Sequence, residues 1–212
     1  MDLYNERKAH EVINTFSKLD SLKFMNIGAL INWYPELINE IISNPKIKQI
    51  FTSIETGSPR LYELMNRPIP LNKLTEIIKF IKKERPDINI QTEFIAGFPT
   101  ETHDDIKATL DLIEELEVDP YAIHSYIDSF CVPSSKLKQH SEEYTIYSAK
   151  YMDNKLQNIK DKIDKKIKSE EKIVAHYFHD IDTYRVILKN GNQVNISAKK
   201  LDRKYKPGDI IK

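Results

Sequence analysis

The chain has 212 residues, equal numbers of basic and acidic side chains, 40% hydrophobic and 30% charged residues, a composition of globular rather than disordered protein. Its single cysteine, Cys131, excludes a disulfide framework and any internal cysteine metal site. No apolar run approaches the ~18 residues of a membrane span, and the first residues lack a signal-peptide core, so the expected location is the cytoplasm.

Helix and strand periods alternate over the first ~130 residues. Residues 4–18, with Leu19 just beyond, place Val12, Ile13, Phe16 and Leu19 on one helical face, and residues 22–28 alternate as a strand. Pro35 suits the first turn of a helix over 35–42. A second strand spans 48–54, helices follow at 59–65 and 71–83, and Pro86 stops the latter. A third strand spans 87–96, Thr102 with Asp105 forms a capping-box pattern for a helix to 116, and a fourth strand spans 121–127.

Four strands separated by helices require parallel pairing with right-handed crossovers. The chain has only five glycines, and Gly28, Gly57 and Gly97 fall where predicted strands end. In parallel α/β folds that end carries the site, because glycine loops there can approach a ligand closely.

The pattern changes after Pro133. Residues 142–168 read as one long charged helix with Tyr147, Tyr151, Ile159, Ile163 and Ile167 as its apolar stripe. Short strands are expected at 173–178, 184–188, 192–197 and 209–211, with Asn190-Gly191 and Pro207-Gly208 as turns. Such a unit of about 40 residues is small for independent stability. The expected fold is therefore α/β, an incomplete (β/α) partial TIM barrel of about four βα units, followed by a long helix and a small β-barrel-like domain. Its divisions are a barrel over 1–137, a helical linker over 138–170 and the small domain over 171–212.

Two segments concentrate the chemistry. Ile54-Glu55-Thr56-Gly57-Ser58-Pro59 leads to Leu64-Met65-Asn66-Arg67, and Thr92-Glu93-Phe94-Ile95-Ala96-Gly97-Phe98-Pro99 continues into Thr100-Glu101-Thr102. Glu55 and Glu93 project from neighbouring strand ends, where paired carboxylates bind hydroxyls, metals or protons. Arg67 can clamp a carboxylate with its guanidinium fork, and Ile95 offers an apolar edge to a flat ring. The plainer reading is that both acids cap helices.

These two segments resemble the corresponding stretches of radical S-adenosylmethionine (SAM) methylthiotransferases, Ser-Gly-Ser followed by Leu-Met-Asn-Arg and Thr-Asp-Phe-Ile-Val-Gly-Phe-Pro-Gly-Glu-Thr. The resemblance runs over about residues 3–137. It implies that Glu55 and Glu93 bond the SAM ribose, that Arg67 meets the methionine carboxylate, and that Ile95 packs on adenine. It extends to Thr56, Gly57, Ser58 and Gly97 as the backbone around the cofactor. It implies no catalytic side chain and no metal ligand in this sequence.

The departures are as informative. The Cys-x3-Cys-x2-Cys loop that holds a [4Fe-4S] cluster in this family is absent, so a cluster is expected only from a missing N-terminal part or a partner chain. Where the family shows Tyr-Ser-x-Arg-x-Gly-Thr, the sequence reads Tyr126-Ile127-Asp128-Ser129-Phe130-Cys131-Val132. The resemblance thus implies the C-terminal part of a methylthiotransferase-like enzyme acting on tRNA or a ribosomal protein, inactive alone. The alternatives are a non-catalytic RNA-binding remnant and a fragment of another radical SAM subclass, such as the cobalamin-binding enzymes.

Charge is unevenly spread. Residues 150–212 carry 16 Lys/Arg against 9 Asp/Glu, and residues 1–149 carry 16 against 23. The position of the small domain resembles that of the family's RNA-binding TRAM domain, with Lys199, Lys200, Arg203, Lys204 and Tyr205 as its candidate RNA contacts. The same aromatics and lysines also suit a barrel core beneath a solvated surface. His176 and His179 lie three apart in a strand and face opposite sides, against a shared metal site. Cys131 is expected to be inert, His103 and His124 structural, and Trp33 part of the core.

Overall fold

The computed structural model describes residues 6–22, 25–28, 30–129, 132–168, 173–180, 183–188 and 193–197. Four strands, β1 (Met25–Gly28), β2 (Ile47–Glu55), β3 (Asn89–Ala96) and β4 (Asp119–Ser125), form one sheet in the order β1-β2-β3-β4 with every pair parallel. Sequential order with parallel pairing is what βα units produce, and among the described residues the sheet does not close. It is the open arc of a partial barrel, as the sequence pattern predicts.

The helices are α1 (Glu6–Ser17), α2 (Leu30–Trp33), α3 (Ile38–Ser43), α4 (Pro59–Leu64), α5 (Leu71–Glu84), α6 (His103–Leu116) and α7 (Glu142–Lys168). The short α2 was not anticipated, and residues 35–37 form a 3-10 turn before α3. The capping box at α6 is present: Thr102 Oγ1 accepts from the Asp105 amide, and Asp105 accepts from the Thr102 amide at 2.8 Å.

The two faces of the sheet differ in chemistry. One buries Ile50, Ile54, Ile90, Phe94 and Ala96 in a core completed by Leu74, Ile78 and Ile81 of α5 and Ile106 and Ile113 of α6. The other carries side chains bonded strand to strand. Gln49 donates to Gln91 at 2.5 Å and Gln91 to Asp119 at 2.7 Å; above them Phe51 meets Tyr121 edge-on at 5.9 Å. The Gln49 and Gln91 amide groups find acceptors across the strands, while the Gln49 Oε1 is buried without a hydrogen bond.

At the opposite end of the strands from Gly57 and Gly97, Arg85 ties the layer together. Its guanidinium donates to the Ile42, Asn44 and Ile47 carbonyls and takes Asp87 in a fork at 2.7 and 2.9 Å. Hydrogen bonding from Arg85, with Lys48 adding to it, holds the Asp87 carboxyl far below the usual carboxylate range.

Helix α7 is more than a connector. Met152 and Leu156 belong to the main core, with Thr145 and Ser148 buried beside them. This corrects the expected stripe in part: Tyr151 and Ile159 do pack against the core, but Tyr147 is 57% exposed, and the fully buried positions are 145, 148, 152 and 156. Two of those four residues are polar, so hydropathy alone misses part of the buried face.

Strands β5 (Ile173–Asp180), β6 (Thr183–Leu188) and β7 (Gln193–Ser197) form an antiparallel meander in sequential order. The expected fourth strand at 209–211 lies outside the described residues, so a closed barrel is not established. Among the described residues no helix is long and apolar enough to cross a membrane.

Candidate functional site

The parallel ladder between β2 and β3 slips at its end. Ser53 pairs with Glu93, but Glu55 pairs with Phe94, so two residues on β2 oppose one step on β3. The Thr56 amide then donates to the Ile54 carbonyl at 2.9 Å, closing a three-residue turn around Glu55, whose φ is +69°. A positive φ is unfavourable for a residue with a Cβ. Its effect here is to turn the Glu55 carboxylate into the polar end of the sheet.

Three charged groups meet there. Arg67 lies 3.3 Å from Glu55 Oε1 and donates to the Ser53 carbonyl at 3.3 Å. Glu93 accepts from Ser53 Oγ at 2.8 Å through one oxygen and lies 3.2 Å from His124 Nε2 through the other. Glu55 is only 8% exposed, and burial pushes its carboxyl pKa up; Arg67 lowers it, and Glu93 raises it again. The carboxylates are therefore unlike. Glu55 is enclosed and paired, whereas Glu93 sits on the open face with a histidine.

The Arg67 Nε is buried and makes no hydrogen bond. Nearby, the Tyr62 hydroxyl is also buried without hydrogen-bond geometry to any group, although the guanidinium acts on the phenol electrostatically; burial is what raises the Tyr62 pKa most. Both side chains line a groove of about 620 Å³ between α4, α5 and α6, together with Ile69, Leu71 and Leu112.

The glycine-bearing loops have other work. Gly57 is pressed against α6: a Cβ there would stand 2.6 Å from the Ala108 carbonyl oxygen and the Thr109 Cα. Its amide donates to Thr109 Oγ1 at 2.9 Å, and Thr56 and Thr109 hydroxyls lie 3.2 Å apart. Ser58 caps α4 through the Leu61 amide and donates to Asp105 at 2.5 Å. Arg60 bonds Thr100 at 3.0 Å and Asp105 at 2.5 Å. The two segments singled out in the sequence are thus locked to each other through Asp105. Burial alone would raise that carboxyl, but donors from Ser58, Thr102 and Arg60 hold it at about 2.

Gly97 has φ +75° and faces α7, where a Cβ would meet Thr145 within 2.8 Å. Its amide donates to Glu101 Oε1 at 2.8 Å, which also accepts from Ser148 Oγ at 2.6 Å. Glu101 is 5% exposed, and burial raises its pKa against those two hydrogen bonds.

Of the eight residues expected at a cofactor, the structure brings Glu55, Arg67 and Glu93 to one end of the sheet. Ile95, half-buried, pairs with His124 on β4. Thr56, Gly57, Ser58 and Gly97 lie at the same strand ends but are engaged with α6 and α7. Sequence reasoning missed Ser53 and treated His124 as structural; strand alternation from Glu93 would have found Ser53, whereas His124 needs the β3–β4 register. The candidate RNA residues Lys199, Lys200, Arg203, Lys204 and Tyr205, and Cys131, lie outside the described residues. Among the described residues, no three His, Cys, Asp or Glu side chains are placed to hold a metal ion.

The donor set can be tested against the groups the resemblance implies. Carboxylates at two strand ends, an arginine with an unused buried N–H and a half-buried isoleucine fit the hydroxyls, carboxylate and ring of an amino-acid-bearing nucleoside such as SAM. One cysteine does not fit a [4Fe-4S] cluster, which takes several thiolates.

No protein-family profile matches the sequence. Individual proteins do. The ribosomal protein uS12 methylthiotransferase RimO of Clostridium botulinum is 28% identical over 173 residues, 75% of this chain and 38% of that protein. The RimO of Carboxydothermus hydrogenoformans is 32% identical over 144 residues, 65% of this chain and 32% of its own length. The threonylcarbamoyladenosine tRNA methylthiotransferase MtaB of Aquifex aeolicus is 36% identical over 104 residues, 49% of this chain and 25% of its own length. The chain spans about a third of the length of the uS12 methylthiotransferases it matches.

Proposed function

We propose, on the premise that the chain is a homologue of radical SAM methylthiotransferases, that its barrel half supplies the SAM-holding side of such a site. The observation that carries this reading is the convergence of Glu55, Arg67 and Glu93 at one end of the sheet's polar face. In it, Glu93 takes the ribose hydroxyls, with Ser53 and His124 fixing its two oxygens. Arg67 takes the methionine carboxylate, partly exchanging its bond to Glu55, and Ile95 lies against adenine. When bound beside an iron–sulfur cluster, SAM supplies a radical that removes hydrogen from a substrate. The cluster would have to be held by cysteines other than those of these 212 residues, as in a longer polypeptide or a partner chain.

Isothermal calorimetry tests the reading. The chain should bind SAM weakly, and Arg67→Ala and Glu93→Ala should each remove the measurable heat. Unchanged binding in both variants would sink the assignment. Anaerobic treatment with iron and sulfide should leave the chain without labile sulfide or a ~400 nm band.

The substrate is proposed to be a tRNA or a ribosomal protein, since the relatives are named for both, and the setting is proposed to be the cytoplasm. The meander of β5, β6 and β7 and the excess of basic residues after residue 150 favour a TRAM-like role for the C-terminal part. In that role Lys199, Lys200, Arg203 and Lys204 pair with phosphates and Tyr205 stacks on a base. Replacing the four cations with Glu should abolish tRNA binding and its salt dependence; a charge-reversed chain that still binds would remove this part of the reading.

A further inference from the structure

Two arginines stand at opposite ends of the sheet, and they are held in opposite ways. Arg85 uses all five of its N–H groups, two of them forked onto Asp87 at 2.7 and 2.9 Å and three on backbone carbonyls. Arg67, at the site end, meets Glu55 through a single contact of 3.3 Å. That is longer than the ~2.7–2.9 Å of an N–H···carboxylate hydrogen bond. Its bond to the Ser53 carbonyl is also 3.3 Å, and its Nε is buried without any bond. Arg85 is a saturated structural tie, whereas Arg67 keeps donors for a better acceptor. The turn at Glu55, with φ +69°, holds a carboxylate against this under-used guanidinium.

We propose that Glu55 is an internal stand-in for the ligand's carboxylate, displaced from Arg67 when SAM binds and taking up a proton as it leaves. This rests on the SAM reading and gives Glu55 a role within it other than the ribose contact that the resemblance implies. Two carboxylates enclosed beside one guanidinium cannot both stay ionised, so the weaker acid takes the proton. An α-carboxyl is the stronger acid of the two, and burial already raises Glu55 above the usual glutamate range. The groups acting on Glu55 are Arg67 and Tyr62 from α4 and its loop, Glu93 from β3 and His124 from β4. Neither of the last two can replace Arg67: Glu93 repels the carboxylate, and His124 is already paired with Glu93. The proton comes from solvent, and the O–H bond on Glu55 is the only covalent bond formed. A pKa that rises on binding couples binding to proton uptake. Affinity therefore falls as pH climbs between the free and bound Glu55 values, by up to about tenfold per pH unit for one whole proton.

The test is calorimetry of the full chain in buffers of different ionisation enthalpy, across roughly pH 5 to 7, where SAM's own amino group stays protonated. The parent should take up part of a proton for each SAM bound, and its affinity should fall as pH rises. Glu55→Gln keeps the side chain's shape without its charge. It should bind SAM several-fold more tightly at pH 7 and lose that uptake; His124 is still present in it, so the missing proton belongs to Glu55. 5′-Methylthioadenosine keeps the adenine and ribose but has no carboxylate, and it should bind both proteins without uptake. A Glu55→Gln variant with the parent's uptake, or with no gain in affinity, overturns the proposal and leaves the SAM site standing. Equal uptake with 5′-methylthioadenosine also overturns it, returning Glu55 to the ribose. SAM heat that survives both Arg67→Ala and Glu93→Ala, or that is absent from parent and Glu55→Gln alike, sinks the SAM reading and this inference together.

Discussion

Arg67 returns from the end of the α4 loop to sit 3.3 Å from Glu55 at the end of β2, so the cation proposed to take the methionine carboxylate already has an internal partner. The pair is largely enclosed, with side-chain exposures of 24% and 10%. In such a setting, removing one member costs more than the pair contributes.

Arg67→Ala should therefore destabilise the chain by about 2–3 kcal/mol at neutral pH, below the ~3–5 of a fully buried pair. The stranded Glu55 keeps its raised pKa, and the Arg67 countercharge that opposed the rise is gone. A raised carboxyl contributes stability at low pH that is lost as pH climbs through its folded pKa. The penalty should accordingly shrink on acidification and vanish in the Arg67→Ala, Glu55→Gln double variant. Urea unfolding across pH measures both.

Glu55 sits at φ +69°, where glycine is unstrained and alanine is not. Glu55→Gly and Glu55→Ala delete the same carboxylate, yet the glycine variant should be more stable by about 1–2 kcal/mol. Equal urea midpoints would mean that the turn at Thr56 carries no strain.

At Gly57 the obstacle is backbone, which cannot swing aside as a flexible side chain can. Gly57→Ala should cost at least the ~1–3 kcal/mol of an overpacked core and should loosen α6 from the β2 end. Hydrogen exchange at the Thr109 amide would report the loosening; native protection there would contradict the packing described.

Along α7, Leu156→Ala should cost about 2–5 kcal/mol and Tyr147→Ala less than about 0.5, although the expected stripe held Tyr147 and not Leu156. Thermal melts of the two variants decide it.

That helix marks where the sequence stops being legible. The four parallel strands, the long helices and the α6 capping box follow from patterns within ten residues: apolar periodicity, Pro86, and Thr102 three before Asp105. The polar part of the buried side of α7 does not, because Thr145 and Ser148 are buried by Gly97 and Glu101, some 50 residues earlier. The site divides the same way. Glu55, Arg67 and Glu93 are conspicuous as charges at strand ends, while Ser53 and His124 gain meaning only from the register that brings them to Glu93. Glycines at strand ends signal a close approach, but not whether a ligand or a helix makes it. At Gly57 and Gly97 it is a helix.

Glu101 gives a pH prediction of its own. Burial raises its pKa despite bonds from Ser148 and the Gly97 amide, and Asp105 adds to the rise. The parent should gain stability as pH falls through the folded Glu101 value toward the lower, unfolded one, since the buried charge is then neutralised. Glu101→Gln keeps a carbonyl acceptor and should flatten that gain without lowering stability at pH 7. Below about pH 4 the trend reverses, because Asp105 loses its stabilising charge as pH falls toward its value of about 2. Calorimetric melts from pH 3 to 8 test the whole profile; a variant with the parent's slope would show that Glu101 is ionised at no cost.

The contact of Gly97 with Thr145 makes α7 a mechanical part. Its 27 residues form a rod about 40 Å long, seated on the loop that follows β3 at Thr145 and on the core as far as Ile159, and followed in the chain by β5. With a glycine filling the contact, no slack remains between rod and loop. A load on the C-terminal strands would reach the core through Ile159, Leu156 and Met152 before it reached the Gly97 turn, so the mouth of the sheet is shielded from it.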